Sequence, residues 1–423
     1  MKKFVSMALA VCMAASLAAC GGSGSSSSSA AANGEAGSTA AGTSSAAIKL
    51  GSSGPLTGDY AQYGEGVKNG IQLAVEEINA MGGIQFESKM EDDEADGEKA
   101  VNAYNTLKDW GMQIYVGATT SGSTIAAAEE ANVDNMFLLT PSGTDASCVQ
   151  YENAFRMCFS DPSQGKASAQ YIGEHDLATK VAVIYDSSNT YSSGIYEAFA
   201  AEAANQGFEV VSAEAFTSDN NTDFSVQIQK AKDAGAELLF LPIYYSEATQ
   251  ILTQAATVDF DPIVFGCDGL DGILSVKNFD TSLAEGVMLL TPYVPGSDEI
   301  TTNFTEKYVA EFGIEPNQFA ADAYDAVYAI KAACEQAGVT ADMDASSICD
   351  ALKGAIVEIS IDGVTGSGIT WEASGEPNKE PKAVVIKDGV YAAPDDTAEA
   401  PAESVSEPAA ESTSASESTS AAA

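Results

Sequence analysis

Two short segments rich in hydroxyl side chains follow apolar runs that are typical of β-strands. Residues 117–124 read GATTSGST and open a predicted helix, and residues 140–144 read TPSGT. Backbone N–H groups at the start of a helix are free to bind an anion, and neighbouring hydroxyls can add hydrogen bonds. Each segment alone is also typical of an ordinary Ser/Thr helix cap or of a turn.

A third segment, in the second half of the chain, carries a carboxylate. Residues 266–269 read GCDG and follow the apolar run 263–265, so Asp268 stands at the end of a predicted strand. Asp268 alone would be typical of a turn. Hydroxyls and amides in one half of the chain and a carboxylate in the other suit a zwitterion. The first half would bind its carboxylate and the second half its ammonium.

Tyrosines recur in the loops beside these segments. Tyr60 and Tyr63 follow the first predicted strand, and Tyr191 follows a later one. Tyr244 and Tyr245 come shortly after the apolar run that ends at residue 241. A tyrosine can be core filler, but it also supplies an apolar wall with a polar tip. Because these tyrosines lie outside the apolar stripes, they are candidates for the walls of a binding site.

The sequence offers little for catalysis. Its single histidine, His175, lies in a predicted helix away from the segments that follow strands, so we interpret it as a surface residue. A Ser or Cys nucleophile would then lack its usual base, and nothing beside Cys267 would lower the pKa of its thiol. No two cysteines have the C-x-x-C spacing of redox and zinc sites. We expect a binding protein with no enzymatic activity, metal or cofactor.

Strands and helices alternate through the folded part of the chain. Residues 62–81 carry apolar side chains at helical spacing, from Ile71 to Ile78, and Gly82-Gly83 ends the pattern. Such alternation is typical of βαβ units, and two series of them predict an α/β fold with two doubly wound parallel-sheet lobes. Ligands of these sheets bind beyond the carboxyl ends of the strands. The predicted strands are 48–50, 113–116, 136–139, 181–185, 209–213, 237–241 and 262–265, and the further predicted helices are 124–135, 192–206, 224–234 and 246–258.

The N-terminus predicts secretion. A positively charged start and the apolar run 4–17, too short to span a bilayer, indicate a signal peptide over 1–19. The residues LAAC at 17–20 resemble the lipobox of bacterial lipoproteins, although an ordinary secretory signal with an incidental cysteine is the alternative. We expect Cys20 to be acylated and to anchor the protein at the extracellular face of the membrane. Residues 20–47, rich in Ser, Ala and Gly, predict a flexible tether.

The chain is strongly acidic, with 61 acidic and 19 basic residues and a formal net charge of −42. Such a charge repels nucleic acid and anionic lipid surfaces, so we expect no nucleic-acid partner and no membrane contact except through the N-terminal lipid. Residues 392–423, rich in Ala, Ser, Glu and Pro, predict a disordered acidic tail.

Five cysteines remain in the predicted folded part. Disulfides can form outside the cell, and Cys148–Cys158 and Cys334–Cys349 are possible pairs, which would leave Cys267 over. The sequence alone does not set the connectivity.

The opening of the folded part resembles a known family. GPLTGDYAQYG at 54–64 and AVEEINAMGGI at 74–84 are similar to the start of the leucine/isoleucine/valine-binding proteins, which have the periplasmic-binding-protein type I fold. The resemblance covers about residues 48–391. It implies two lobes joined by a three-strand hinge, the first lobe from about 48–162 and 292–363 and the second from about 163–291 and 365–391.

The resemblance also implies a ligand site. Ser121 and Thr144 match the residues that bind the ligand carboxylate, and Asp268 stands where the family often has a Glu that binds the ammonium. Ser142 and Gly143 match a backbone segment that touches the ligand. The positions matching the family's aromatic residues and side-chain pocket are Tyr63, Tyr191, Tyr244 and Phe319.

The chain departs from the family in a few places. The disulfide of the best-known members would correspond to Ala95 and Thr120, so it is absent here. Asp268 is one methylene shorter than Glu, and the tail after Ala393 has no counterpart in the family.

The resemblance implies a transport receptor. We expect a monomeric substrate-binding lipoprotein of an ABC importer that captures an amino acid, branched-chain or another small aliphatic one, and passes it to a permease complex. A ligand-sensing subunit that binds an amino acid or an amide on the same fold is the alternative.

Overall fold

The structure, a computed structural model, describes residues 46–394. The predicted signal peptide, Cys20, most of the tether and nearly all of the acidic tail lie outside these residues. Two β-sheets with helices on their faces make up the described chain. None of the helices within 46–394 is long and apolar enough to cross a membrane.

The first sheet has five strands, all parallel, in the order β2-β1-β3-β4-β5. Nearly every residue of its interior strand β1 is buried, as expected for a parallel strand covered on both faces. The strands are β1 (Ile48–Gly54), β2 (Phe86–Asp92), β3 (Ile114–Tyr115), β4 (Leu138–Thr140) and β5 (Ala154–Arg156).

The second sheet has seven strands in the order β12-β11-β10-β9-β8-β6-β7. They are β6 (Lys180–Asp186), β7 (Glu209–Phe216), β8 (Leu238–Leu241), β9 (Ile263–Gly266), β10 (Met288–Thr291), β11 (Lys382–Lys387) and β12 (Val390–Ala392). Strands β6 to β10 run parallel, whereas β11 pairs antiparallel with β10 and with β12. The prediction of two parallel sheets is confirmed, with an antiparallel hairpin at one edge of the second.

Ten helices cover the two sheets of the described chain. Helices α1 and α9 pack against each other beside the first sheet, and α4 and α5 pack together beside the second. The helices are α1 (Ala61–Met81), α2 (Gly97–Trp110), α3 (Ser121–Asp134), α4 (Asp161–Glu174), α5 (Thr190–Ala203), α6 (Ser225–Asp233), α7 (Tyr245–Thr257), α8 (Glu299–Phe312), α9 (Gln318–Ala337) and α10 (Ala345–Ala355).

Helix α1 forms as its periodicity predicts and sets the position of α9. Its apolar stripe, including Ile71 and Ile78, is buried. Gly82 ends the helix with a φ of 75°, a conformation that glycine adopts without strain. A Cβ at Gly70 would lie 2.2 Å from the carbonyl oxygen of Ala320, so glycine lets α1 approach α9 closely. This approach brings the starts of both helices to the same place.

Helix α3 begins three residues earlier than its periodicity predicts. We expected a helix over 124–135, but Ser121 is already helical and Thr120 is the N-cap. The first turn is made of Ser and Gly, so it carries no apolar signal, and the apolar pattern starts only at Ile125. The earlier start places the hydroxyl segment in the first helical turn.

The chain passes between the two sheets three times, after β5, after β10 and before β11. We call the first sheet with α1–α3 and α8–α10 the first lobe, and the second sheet with α4–α7 the second lobe. The last crossing comes later than the predicted boundary at residue 365. Trp371 Nε1 donates to the Arg156 carbonyl at 2.8 Å, and the Arg156 N–H donates to the Gly375 carbonyl at 3.0 Å. This segment therefore stays on β5, and the chain joins the second sheet only at Lys382.

The five cysteines of the described chain are buried free thiols. The two possible disulfides are therefore not formed in this structure. Cys148 Sγ lies 3.7 Å from the Ser121 carbonyl oxygen, and Cys158 Sγ lies 3.6 Å from the Gly143 carbonyl oxygen. These thiols pack as small side chains beneath the hydroxyl segments instead of bridging.

Candidate functional site

A small cavity between the two lobes gathers most of the predicted site. It is lined by residues from both halves of the chain, including seven of the nine predicted ligand-binding residues. The other two, Gly143 and Thr144, lie directly behind the lining. The lining residues are Tyr63, Thr119, Thr120, Ser121, Ser142, Tyr191, Tyr244, Asp268, Gly269 and Phe319.

The start of α3 stands on the first-lobe wall of the cavity. No acidic side chain occupies the first turn, so its N–H groups and the positive end of the helix dipole are not neutralised there. Ser121 Oγ accepts hydrogen bonds from the N–H groups of Thr144 and Asp145, both at 3.2 Å. Ser121 Oγ also lies 3.4 Å from Thr144 Oγ1, within hydrogen-bond distance. Thr120 Oγ1 is buried and has no hydrogen-bond partner among the described residues.

Hydrogen bonds hold the segment after β4 behind the start of α3. Ser142 Oγ donates to the Thr119 carbonyl at 2.6 Å, and the Gly143 N–H donates to Thr140 Oγ1 at 2.9 Å. A Cβ at Gly143 would lie 2.7 Å from Thr124 Oγ1, so only glycine fits. Gly143 thus supports the wall without lining the cavity.

Arg156, which the sequence analysis did not identify, holds the segment after β4 by hydrogen bonds. Its guanidinium is fully buried, and it donates to the carbonyls of Gly143 and Asp145 at 2.8 Å and 2.9 Å. A buried charge needs such partners, and Glu376 adds an ion pair at 3.2 Å. Only the rarity of arginine at the end of a buried strand could have indicated this role.

Asp268 supplies the carboxylate on the second-lobe wall. It follows β9 and is 4% exposed. Tyr191 Oη donates to Asp268 Oδ1 at 2.7 Å, while the Gly269 N–H donates to the same phenol at 2.8 Å. Burial raises the pKa of Asp268 to about 6, and the hydrogen bonds from Tyr191 and Gln164 counteract part of that rise. A positive charge placed beside Asp268 would offset its desolvation.

Asp161, at the start of α4, is a second buried carboxylate that the sequence analysis missed. It is 1% exposed, and its N–H donates to the Thr144 carbonyl at 2.9 Å. Burial raises the pKa of Asp161 well above its usual range, and the Thr144 hydroxyl acts in the opposite direction. An aspartate in the first turn of a helix is so common that its sequence position gives no functional signal.

The comparison with known proteins assigns the chain to a family. The sequence profile described as "Periplasmic binding protein" matches residues 47–389. The chain belongs to the periplasmic binding protein family. The family consists of substrate-binding transport proteins, not enzymes.

Individual members of the family are similar over most of their length. A Leu/Ile/Val-binding protein homologue of Brucella melitensis is 31% identical over 70% of this chain and 80% of that protein. The substrate-binding protein LivJ of Streptococcus pneumoniae, solved in complex with isoleucine, is 28% identical with a TM-score of 0.74, over 82% of this chain and 98% of LivJ. The leucine-binding protein LivK of Thermotoga maritima is 26% identical with a TM-score of 0.73, over 82% of this chain and 99% of LivK.

Aromatic rings form the remaining walls in this periplasmic binding protein. Tyr63 and Phe319 come from the starts of α1 and α9 in the first lobe, and their ring centroids are 4.3 Å apart. Tyr191 and Tyr244 come from the second lobe and stack at 4.9 Å. Tyr63 Oη donates to the Gly269 carbonyl at 2.5 Å and so joins the two lobes.

Two predicted wall tyrosines lie just outside the cavity. Tyr60 Oη donates to Glu247 Oε1 at 2.6 Å, and Tyr245 Oη accepts from the Gln62 N–H at 3.2 Å. Both bonds join the first lobe to the second. Tyr60 and Tyr245 are therefore part of the contact between the lobes and do not line the cavity.

The lobes of this periplasmic binding protein are closed on each other. The cavity volume is about 10 Å³, which is room for about one water molecule. An amino acid can therefore enter only when the lobes move apart. His175 is exposed and stacks on Tyr171, and burial raises the pKa of the Cys267 thiol well above its usual range, so neither has the setting of a catalytic group.

Proposed function

We propose that this periplasmic binding protein binds an amino acid between its two lobes and delivers it to the permease complex of an ABC importer. The observation that carries the proposal is the opposite polarity of the cavity walls. Helix N–H groups and hydroxyls stand on the first lobe, and the Asp268 carboxylate stands on the second. A zwitterion is complementary to both walls at once.

In this arrangement the ligand carboxylate lies at the start of α3. It accepts from the N–H groups of the first turn and from the hydroxyls of Thr120 and Ser121. The ammonium lies beside Asp268, and Asp161 adds a second negative group nearby. Two raised carboxyl pKa values beside this position support the assignment, because a cation is what such desolvated acids need.

The ligand side chain is apolar and small. Asp268 is the only charged residue lining the cavity, and the remaining walls are the rings of Tyr63, Tyr191, Tyr244 and Phe319. A charged side chain would lack a partner there, at a large desolvation cost. A branched-chain or other small aliphatic amino acid fits these walls, in agreement with the leucine and isoleucine ligands named for the relatives.

Hinge closure is the proposed mechanism. Three chain crossings join the lobes, and ligand contacts with both walls stabilise the closed state. We place the first lobe at about 48–162 and 292–378 and the second at about 163–291 and 382–391. The protein is a monomer, held at the extracellular face of the membrane by a lipid on Cys20, with 1–19 as signal peptide, 20–47 as tether and 392–423 as tail.

A thermal-shift screen of the full chain against the twenty amino acids, followed by calorimetry, tests the function. We expect leucine, isoleucine, valine or alanine to raise the unfolding temperature by mass action. The matched controls are isoamylamine and 4-methylpentanoate, which each keep one charge of leucine, and both should bind much more weakly. Tight binding of 4-methylpentanoate without binding of any amino acid would refute the zwitterion site. Import measured in cells lacking the permease then tests delivery.

A further inference from the structure

Asp268 stands on a single turn of 3-10 helix, Asp268–Leu270, which follows β9 in the second lobe. The turn is closed by the Asp271 N–H, which donates to the Asp268 carbonyl at 3.0 Å. The side chains at its two ends, Asp268 and Asp271, belong to residues that are each 4% exposed. A turn this short has few hydrogen bonds of its own, so the position of its carboxylate depends on the contacts that hold the turn.

Two of these contacts come from the second lobe itself. The Asp268 N–H donates to Gln164 Oε1 at 3.1 Å, and Gln164 lies in α4. The Asp268 carboxylate accepts from Tyr191 Oη at 2.7 Å, and Tyr191 lies in α5. Because donors and acceptors here belong to one lobe, these two bonds do not depend on lobe closure.

A third contact comes from the first lobe. Gln318 is the first residue of α9 and is 1% exposed. Its Nε2 donates to the Asp268 carbonyl at 2.6 Å, and its backbone N–H donates to Asp271 Oδ2 at 2.7 Å. One residue of the first lobe therefore holds both ends of the turn that carries Asp268. We call these two hydrogen bonds the Gln318 clasp.

The start of α9 favours the Asp271 half of the clasp. No acidic side chain occupies the first turn of α9, so Asp271 of the second lobe supplies the negative charge that the helix dipole stabilises there. Burial raises the pKa of Asp271 to about 6. Hydrogen bonds from Gln318, Tyr391 and Gly272 counteract part of that rise. Since Tyr391 and Gly272 belong to the second lobe, Asp271 keeps these two partners when the lobes separate.

The Gln318 clasp differs from the other bonds that join the lobes. The bond from Tyr60 to Glu247 acts outside the cavity, on residues that do not line it. The clasp acts on the peptide of Asp268, which supplies the carboxylate of the second-lobe wall. Gln318 itself is not among the lining residues, although the next residue, Phe319, is.

We propose that Gln318 is a positioning residue of the ammonium site, which clasps the turn on lobe closure and fixes the Asp268 carboxylate against the ligand. The proposal rests on the proposed function, because it takes the ligand ammonium to bind at Asp268. A carboxylate that is already held binds an ammonium more tightly than one that must be ordered by the ligand, since ordering costs conformational entropy. Closure of the lobes therefore completes the ammonium site as well as enclosing it.

A double-mutant cycle between Gln318→Met and Asp268→Asn tests this role. Methionine keeps the length of the side chain and the backbone N–H but removes the Nε2 donor. Gln318→Met alone should weaken leucine binding about tenfold, as measured by calorimetry. In the Asp268→Asn background no carboxylate remains to be positioned, so the same change should cost threefold or less. An ordinary closure contact would instead cost the same in both backgrounds.

Two further variants make the test specific. Tyr60→Phe removes a bond between the lobes away from the turn, and its cost should be equal with and without Asp268→Asn. Asp271→Asn keeps the size of the side chain but weakens the other half of the clasp. It should couple to Asp268→Asn in the same sense as Gln318→Met, and it provides the test if Gln318→Met does not fold.

Two results would overturn the role of Gln318. One is an equal cost of Gln318→Met in both backgrounds, including no cost at all. The other is coupling of Tyr60→Phe to Asp268→Asn as large as that of Gln318→Met, because the coupling would then belong to closure in general. If the unaltered protein binds no amino acid, the proposed function fails and this role fails with it. If it binds leucine but the cycle is additive, the proposed function stands and only the positioning role is wrong.

Discussion

The phenol of Tyr60 donates a hydrogen bond to Glu247 Oε1 at 2.6 Å across the two lobes. Tyr60 precedes α1 in the first lobe, and Glu247 lies in the first turn of α7 in the second. Asn221 Nδ2 also donates to Glu247 Oε1, at 2.9 Å. Neither Tyr60 nor Glu247 lines the amino-acid cavity, so this bond stabilises the closed state without touching the ligand.

Tyr60→Phe should therefore speed up ligand release. The variant removes the hydroxyl but keeps the ring that packs on Tyr63 and Tyr244. A hydrogen bond to a charged group contributes about 1.5–3 kcal/mol, so the dissociation rate should rise roughly tenfold or more. Stopped-flow release of bound leucine measures it. Tyr185→Phe, whose ring stacks on Tyr196 within the second lobe, is the matched control. Equal release rates in both variants would contradict the role of the Tyr60 bond.

Asp268→Asn should cause the largest loss of amino-acid affinity. The variant keeps the size of the side chain but leaves the ligand ammonium without its buried counter-charge, at a cost of roughly 2–5 kcal/mol. That corresponds to about 30-fold to several-thousand-fold in the dissociation constant measured by calorimetry. All amino-acid ligands should weaken about equally, because Asp268 does not select the side chain. Normal binding of an amino acid by this variant would show that the ammonium lies elsewhere.

The variants Thr120→Val and Ser121→Ala should both weaken leucine binding but differ in their effect on the free energy of unfolding. Thr120 Oγ1 is buried without a partner, so Val should leave the free energy of unfolding nearly unchanged while weakening leucine binding. Ser121 Oγ accepts two backbone N–H bonds, so Ala should lower the free energy of unfolding by about 1–3 kcal/mol as well. Helix N–H groups remain in both variants, so each should lose less affinity than Asp268→Asn.

Denaturant unfolding and calorimetry on the same samples make this comparison. Unchanged affinity of Thr120→Val would remove Thr120 from the ligand carboxylate site.

Amino-acid affinity should rise with pH through about 6. Burial raises the pKa of Asp268 to about 6, so the unliganded site is largely protonated at pH 5. Only the carboxylate form attracts the ammonium, so the dissociation constant should be about tenfold larger at pH 5 than at pH 7.

The effect of Asp268 on folding stability has the opposite dependence on pH. A raised carboxyl pKa means that the folded state holds the proton more tightly. Asp268 therefore lowers the free energy of unfolding as pH rises from the ordinary pKa of an aspartate to about 6, and has no further effect above that pH.

Calorimetry across pH 4.5–8 tests the binding part. Asp268→Asn is the control, because its residual affinity should show a much flatter pH profile. A profile of the same steepness in the variant would assign the pH dependence to another buried acid, such as Asp161 or Asp322.

Cys20→Ala should release the protein from the membrane or leave its precursor uncut. The motif LAAC at 17–20 is the reason, since an acylated Cys20 would anchor the protein in the membrane. Detergent partitioning of cell fractions measures the outcome. Membrane association equal to that of the unaltered protein would contradict lipid anchoring.

The spacing of apolar residues and the residues that end each element were sufficient to predict much of the fold. The stripe of α1, the buried run of β6 and the alternation between them depend on residues close together in the chain, so the sequence shows them directly. The start of α3 was placed too late, because a first turn of Ser and Gly has no apolar side chain to mark it. The last crossing was placed too early, because the contact of Trp371 with Arg156 joins residues that are 215 apart.

The sequence by itself determined two parallel-sheet lobes and the polar segments that follow their strands, because chain direction sends every such segment to the carboxyl edge of its sheet. Only the tertiary structure decided which atoms there have partners. Thr120 Oγ1 lacks a partner, and Asp161 and Arg156 are buried, because segments far apart in sequence meet and exclude water around them. Burial and partner geometry depend on all these segments at once, and residue type and spacing within one segment do not contain that information.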